Sequence, residues 1–394
     1  MMPRAHTTDI GVADQPVRID SLDAFVFRAP AVPPVQTSFG IMHDRPAVLV
    51  RVRDRDGAEG WGEIWCNFPT VGAEHRARLA LAYGRPLVVG KSWSHPGQAW
   101  PDMHARLQVL MLQTGEAGPL HQLMAGIDTA LWDLFARRAG KPLWQYLGGD
   151  GGGDAVQVYA SGINPTEPEV LAAAKAREGY RAFKLKVGFG IERDVANLRR
   201  MRETLGDEAT LMVDANQAWS FEEAREAGGH LLDFGLTWLE EPLRASAPPS
   251  QWQALAQALP LRLAGGENVS DMARYDDFIA VPGMSVIQPD VGKWGGVTGC
   301  IEVARRATAA GRWYCPHWLG AGIGLAASMH LKAAAGGPGY VEVDANPNPL
   351  RDLLAQPGLR VEDGYVRLGQ APGLGVTPDL EAAREFAVRV VELG

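Results

Sequence analysis

Apolar runs that each end on one ionisable residue recur along the second half of the chain. Leu211-Met212-Val213 runs into Asp214, Trp238-Leu239 into Glu240, and Leu261 to Gly266 into Glu267. Val286-Ile287 leads to Asp290, Trp313-Tyr314-Cys315 to His317, and Tyr340-Val341 to Glu342. Upstream, Phe183-Lys184-Leu185 leads to Lys186. A short apolar run bounded by polar, turn-forming residues reads as a buried strand. The interval is about 25 residues, the length a strand, a loop and a helix take together in a βαβ series. With Val156 to Ala160 as the first member, the pattern predicts eight strands, with helices such as Glu167 to Gly179 and Ile191 to Leu205 between them. Functional groups come from nearly every strand end. A closed barrel gathers such groups at its mouth, whereas an open sheet uses one switch point.

The first part of the chain has a different texture. Val17 to Asp20 and Ala24 to Phe27 read as a strand, followed by a Pro-rich loop from Pro30 to Pro46. Ala47 to Arg53 and Gly60 to Trp65 read as hairpin partners. Helical patterns cover Glu74 to Val88, Trp100 to Leu112 and Pro119 to Arg138, the last with Leu123, Ile127, Leu131 and Leu134 on one face. Residues 1–148 are therefore expected to form an α+β domain behind a loose tail, residues 1–16. Gly148 to Gly153 reads as a linker, since no P-loop Lys-Ser/Thr follows its glycines. The barrel is expected over 149–346. The last segment, 347–394, carries a short strand at Tyr365 to Leu368 and a final helix from about Asp379, and is expected to pack back on the first domain.

Composition narrows the class. The chain has 394 residues, 46% hydrophobic and 21% charged, as in ordinary globular proteins. A net charge of −8 argues against a nucleic-acid partner, which needs a basic patch. No apolar run approaches the ~18 residues of a membrane span. The start lacks the apolar core of a secretory signal. Three scattered cysteines, Cys66, Cys300 and Cys315, suit a reducing cytoplasm and read as buried thiols. The expected location is cytoplasmic, and barrels of this kind commonly form homo-oligomers.

The strand-end residues carry the chemistry. An acid after a strand is often only a helix N-cap. Three of them, Asp214, Glu240 and Glu267, at consecutive strand ends would raise one another's pKa unless a cation were shared. Hard oxygen donors suit Mg²⁺, with Mn²⁺ as a substitute, and leave positions open for substrate. Glu241 neighbours Glu240, and strand alternation points it elsewhere. Lys184 and Lys186 lie two apart and face the same way. Two adjacent ammonium groups push a lysine toward its neutral, basic form. Asp290 beside His317 would fix the imidazole's tautomer and support its charged form. Glu342 would hydrogen-bond a substrate oxygen if protonated or paired with a lysine. His330, mid-helix, reads as core or surface. Together these groups suit abstraction of the proton α to a carboxylate, with the metal and Lys184 stabilising the enediolate and Lys186 or His317 moving protons.

At these residues the chain resembles the mandelate racemase/muconate lactonizing enzyme family of the enolase superfamily. Gly60-Trp61-Gly62-Glu63, Gly126 to Leu134 and Gly140-Lys141-Pro142-Leu143 are similar to its capping domain. Lys184-x-Lys186, Asp214-Ala215-Asn216, Glu240-Glu241-Pro242, Gly266-Glu267, Gln288-Pro289-Asp290 with Gly295-Gly296, and Pro316-His317 are similar to its barrel. The resemblance implies a modified (β/α)₇β barrel under an α+β cap, and Mg²⁺-assisted α-proton abstraction. Asp290 with His317, rather than a lysine at the sixth strand end, implies the mandelate racemase-like subgroup; Lys293 does not align with that lysine. The resemblance assigns Lys186 as one base, His317/Asp290 as the other and Glu342 as the acid on the enolate side, with Asp344 the alternative if the register slips. Asn216 is placed beside the metal ligands. The subgroup implies dehydration of an acid sugar first, and racemisation or epimerisation of a 2-hydroxy acid second. A non-catalytic metal-binding barrel is the reading from another class. Two cap loops are implied to set specificity for a small carboxylate substrate, one with Thr37, Ser38, Phe39, His43 and Arg45, the other with Trp65, Asn67 and Phe68.

Overall fold

The computed structural model describes residues 16–37, 40–149 and 153–390. Residues 1–15 of the expected tail, Ser38 and Phe39, and residues 150–152 of the expected linker lie outside them. Two sheets organise the molecule. The first is antiparallel. It contains β1 (Val17–Thr37), β2 (Gly40–Asp54) and β3 (Glu59–Ile64), with β4 (Ser92–Trp93) on the start of β1. The helical run after β3 comprises α1 (Gly72–Leu79), a π-helical turn and α2 (Arg85–Val88). The helices α3 (Ala99–Thr114), α4 (Ala117–Arg138) and α5 (Leu143–Tyr146) follow.

The segment Pro30 to Pro46, expected as a loop, is instead a hairpin extension of β1 and β2, with Pro30 opposite Asp44 and Thr37 opposite Gly40. A register shift between Pro30 and Val35 takes up Pro33 and Pro34, which have no N–H to give to a ladder. Proline at a bulge is compatible with a strand, and the local pattern did not reveal the bulge.

The second sheet is the barrel. Its strands are β5 (Ala155–Ile163), β6 (Ala182–Lys186), β7 (Thr210–Asp214), β8 (Leu236–Glu240), β9 (Leu263–Gly265), β10 (Met284–Ile287), β11 (Trp313–Tyr314) and β12 (Val341–Asp344). They are parallel, in the order β11-β10-β9-β8-β7-β6-β5-β12. Between β11 and β12 the join is made by single contacts, Tyr340 N–H to Cys315 Sγ at 3.4 Å and Trp318 N–H to Glu342 at 3.0 Å. Seven helices alternate with these strands: α6 (Pro168–Arg177), α7 (Ile191–Leu205), α8 (Phe221–Leu231), α9 (Pro249–Ala258), α10 (Met272–Ala280), α11 (Gly296–Ala309) and α12 (Gly322–Ala335). A short α13 (Pro349–Leu353) follows β12. This is a (β/α)₇β barrel with an antiparallel cap.

After α13, β13 (Tyr365–Arg367) pairs antiparallel with β5, and β14 (Ala387–Val388) pairs with β1. The final helix expected from Asp379 is absent. Asp379 closes a turn by accepting from Ala382 N–H at 2.9 Å, and a 3₁₀ turn at Arg384–Phe386 leads into β14. Pairing with the free edge of β1 overrides the helical propensity of this Ala-rich stretch.

The helix α4 is the beam between cap and barrel. Every residue from Leu120 to Ala136 is buried, polar ones included. On one side β3 meets it backbone to backbone: a Cβ on Gly62 would stand 1.9 Å from the Gly126 carbonyl oxygen. On the other, Asp128 accepts from Thr298 N–H (2.9 Å) and Oγ1 (2.6 Å) at the start of α11. Asp133 accepts from Trp61 N–H at 2.9 Å and Leu374 N–H at 2.7 Å. No helix among the described residues is long and apolar enough to cross a membrane.

Candidate active site

Strand alternation builds the barrel interior in layers. Tyr159, Ala182, Met212, Trp238, Ala264, Val286 and Cys315 form an apolar floor. Two residues further along, the inward positions become polar: Ser161, Lys184, Asp214, Glu240, Gln288 and, on β12, Glu342. The pairing aligns Lys186 with Asp214 and Asp214 with Glu240. Asp290 and His317 form a parallel bridge just beyond β10 and β11. Thus the expected lysines, acids and histidine converge on one mouth.

The lysines have separate partners. Lys184, fully buried, contacts Glu240, lies 2.8 Å from Glu342 Oε1 and 3.3 Å from Tyr159 OH. Lys186 Nζ lies 2.5 Å from Asp214 Oδ2. Burial pushes Lys184 down, but Glu240 and Glu342 outweigh it and hold the ammonium well above its ordinary value. Burial likewise opposes Lys186, Asp214 outweighs it, and the net direction is up. The Lys184 charge lowers Lys186 as expected, but the contact with Asp214 is the larger effect. Each is the counter-ion of a buried carboxylate, and an attractive contact at hydrogen-bond distance exceeds the repulsion between them.

His317 is bracketed by acids. Its Nδ1 lies 2.6 Å from Asp290 Oδ2, and its Nε2 contacts Glu267 and stands 3.5 Å from Glu342 Oε2. Burial lowers its pKa, but Glu267, Glu342 and Asp290 carry it up to about 10. Burial raises Glu342, yet Lys184 and His317 bring it down to about 2. Glu342 is therefore an ionised acid paired with a lysine. Asp344 faces the same way one step further out and pairs with Arg45, so the register places Glu342 in the site.

Six buried carboxylates line this mouth: Asp214, Glu240, Glu241, Glu267, Asp290 and Glu342. Three lysines, Lys184, Lys186 and Lys293, and His317 face them, which leaves a formal excess of two negative charges when every carboxyl is ionised and the imidazole protonated. Burial, together with repulsion from Asp214, raises Glu240 to about 7 despite Lys184. Burial and the charge of Glu267 raise Glu241 well above the usual range. Lys184 lies among Asp214, Glu240 and Glu342, and among the described residues no three His, Cys, Asp or Glu side chains are grouped to hold a metal ion. Hard oxygen donors with a deficit of two positive charges fit a divalent cation. Asp214, Glu240 and Glu267 would hold it. Asn216, at positive φ, donates its N–H to Asp214 Oδ1 at 2.8 Å and its amide to Oδ2 at 3.1 Å, orienting that carboxylate.

Several site residues escaped the sequence reading. Gln288 donates to Glu240 Oε2 at 2.6 Å, and Trp238 Nε1 donates to the same oxygen at 3.0 Å. Both lie two positions from a strand-end acid, a periodicity that could have found them. Ser161 donates to Glu342 Oε1. Lys293 Nζ sits 3.2 Å from Glu267 Oε1 and 4.9 Å above the Trp65 ring. Glu241 is also inside, on Asn268, rather than pointing elsewhere.

The cap residues divide. Trp65 reaches the mouth through Lys293, with Phe68 6.5 Å away. Thr37 closes its own hairpin on the Gly40 carbonyl at 2.9 Å, and His43 is exposed. Arg45, expected on the substrate, is buried on Asp344 and on the Leu319 carbonyl at 3.0 Å. Asn67 donates to that same carbonyl at 3.0 Å.

A capped parallel barrel with paired acids and bases at its strand ends defines an enzyme class that works on acidic carbon. Residues 21–148 match the mandelate racemase/muconate lactonizing enzyme N-terminal domain, and residues 169–383 match the enolase C-terminal domain-like family. The chain belongs to the mandelate racemase/muconate lactonizing enzyme family of the enolase superfamily. It is 53% identical to a structure described as a mandelate racemase/muconate lactonizing enzyme from Bordetella bronchiseptica RB50, with a TM-score of 0.87 over 94% of this chain and 99% of that one. It is 30% identical to D-galactarolactone cycloisomerase of Agrobacterium fabrum, over 89% of this chain and 93% of the relative. An L-talarate/galactarate dehydratase variant, solved with Mg and L-glucarate, is 27% identical with a TM-score of 0.83, over 99% of this chain and 96% of that one.

Proposed function

We propose that the protein abstracts the proton α to the carboxylate of an acid sugar in a Mg²⁺-dependent reaction and dehydrates it to a 2-keto-3-deoxy acid. The observation that carries this is the meeting of Lys186 and the His317–Asp290 pair at a mouth with a formal excess of two negative charges. The relatives named for a galactarate dehydratase and a galactarolactone cycloisomerase point to the same substrate chemistry.

When bound by Asp214, Glu240 and Glu267, the cation supplies charge compensation and Lewis-acid stabilisation of the substrate carboxylate. Lys186, relieved of Asp214's charge and beside the Lys184 ammonium, becomes the neutral amine. Its Nζ takes the α proton, leaving an enediolate whose charge Lys184 faces. His317, whose protonated form Asp290 and Glu342 support, gives its proton to the departing β hydroxyl, which leaves as water. The resulting enol tautomerises to the 2-keto acid. Asp290 keeps the imidazole oriented through Nδ1.

A second reading is racemisation or epimerisation. Its support is that the two proton carriers come from strands that are not neighbours, β6 and β11, so each can serve one face of the α carbon. Incubation of an acid-sugar library with Mg²⁺ in D₂O separates the readings. Keto product lost in Lys186→Ala identifies the dehydratase and its substrate. Deuterium at C2 without keto product identifies epimerisation. Silence on both rejects acid sugars as the substrate class.

A further inference from the structure

The His317–Asp290 pair stands on two short segments after β10 and β11, and both are tied to the cap. The Leu319 carbonyl, two residues past His317, accepts from Arg45 Nη2 and Asn67 Nδ2, each at 3.0 Å, one donor from the β1–β2 hairpin and one from the segment after β3. Glu63, at the end of β3 and 3% exposed, accepts from Ala321 N–H at 2.5 Å and Gly324 N–H at 2.9 Å. On the other segment, Trp65 N–H donates to the Gly292 carbonyl at 3.4 Å, two residues past Asp290.

Trp318 locks the two segments together. A Cβ on Gly292 would come 2.6 Å from the Trp318 ring and 3.2 Å from Trp65 N. On Gly320 and Gly324 it would come 2.3 Å and 2.0 Å from the same ring. The indole is therefore boxed by backbone, and a displacement of the cap strand passes to the residue that follows His317. Lys186 is held differently, by Asp214 on the neighbouring barrel strand.

We propose that Glu63, Asn67 and Arg45 are positioning residues for the dyad: the cap loops hold the segment that carries the His317 proton donor. A ligand that displaces those loops then slackens His317 and leaves Lys186 in place, so recognition and one half of the proton chemistry are coupled. The catalytic part of this inference rests on the proposed α-proton reaction; the mechanical part does not.

The test uses the full chain, Asn67→Ala and Glu63→Gln. Amide hydrogen exchange over 318–324 is expected to rise about tenfold or more in each variant, because a local opening loses its cap contacts. Wild-type exchange rates in both variants overturn the proposal, whatever the substrate. With an acid that turns over, kcat for the His317-dependent step should fall about tenfold or more, with KM changed less than about twofold, while α-proton exchange through Lys186 stays within about twofold. Equal loss of both proton transfers overturns the coupling. If the wild-type chain exchanges the α proton of no acid, the proposed reaction fails, and hydrogen exchange still decides the clamp. Should Glu63→Gln fail to fold, the half-buried Asn67→Ala carries the measurement.

Discussion

At the scale of single residues, the site works by giving each buried charge a named partner. Asp290 touches His317 Nδ1 at 2.6 Å, so Asp290→Asn replaces an acceptor by a group that can present its amide instead. The proton-transfer rate is expected to fall by about 10²–10⁴-fold, read as loss of turnover and of α-proton exchange with Mg²⁺ present. Gln288 grips Glu240 Oε2 from the neighbouring side at 2.6 Å. Gln288→Leu keeps the volume and removes the donor, so Mg²⁺ affinity measured by calorimetry should weaken by about 10–100-fold. An unchanged affinity would mean that Trp238 and Lys184 suffice to fix that carboxylate.

At the scale of elements, the cap depends on a backbone contact between β3 and α4. Gly60 and Gly62 alternate with Trp61 and Glu63, so at these two positions the face of β3 toward the helix is bare backbone. A Cβ on Gly60 would stand 2.1 Å from the Ala130 carbonyl, and one on Gly62 2.8 Å from Ala130 N. Backbone cannot rotate away as a side chain can, so Gly62→Ala should lower stability by about 1–3 kcal/mol in urea unfolding. Because Glu63 and Trp65 lie on the same stretch, the variant should also loosen the 318–324 segment in hydrogen exchange.

For the whole molecule, a buried neutral imidazole makes stability depend on pH. His330, in α12, accepts from Trp144 N–H at 3.1 Å through Nδ1, and its Nε2 lies 3.1 Å from the Leu374 carbonyl. Burial holds its pKa down to about 4, against 6.5 when exposed. Between those values the unfolded chain binds the proton and the folded chain does not. Stability conferred by the neutral imidazole is therefore present above about pH 6.5 and is lost as pH falls toward 4. One such group is worth about 3 kcal/mol across that window. His330→Gln should flatten the dependence of the urea midpoint on pH over this range, while lowering stability at neutral pH through the altered contacts.

The sequence by itself determined the barrel and its mouth. Each strand is a short apolar run, each interior position follows from alternation, and Lys184, Lys186, Asp214, Glu240, Asp290, His317 and Glu342 all reach one site for that local reason. Tertiary structure alone decided the rest. The hairpin from Pro30 to Pro46 exists because β1 and β2 pair across a bulge, and the helix expected from Asp379 is lost because β1 offers a free edge. Which carboxylates pair with the two lysines was decided by the neighbouring strands, not by the spacing of the lysines. Arg45 and Asn67 meet Leu319 across 274 and 252 residues of chain. Local periodicity records which face of an element is buried; it holds no information about which distant group will occupy that face.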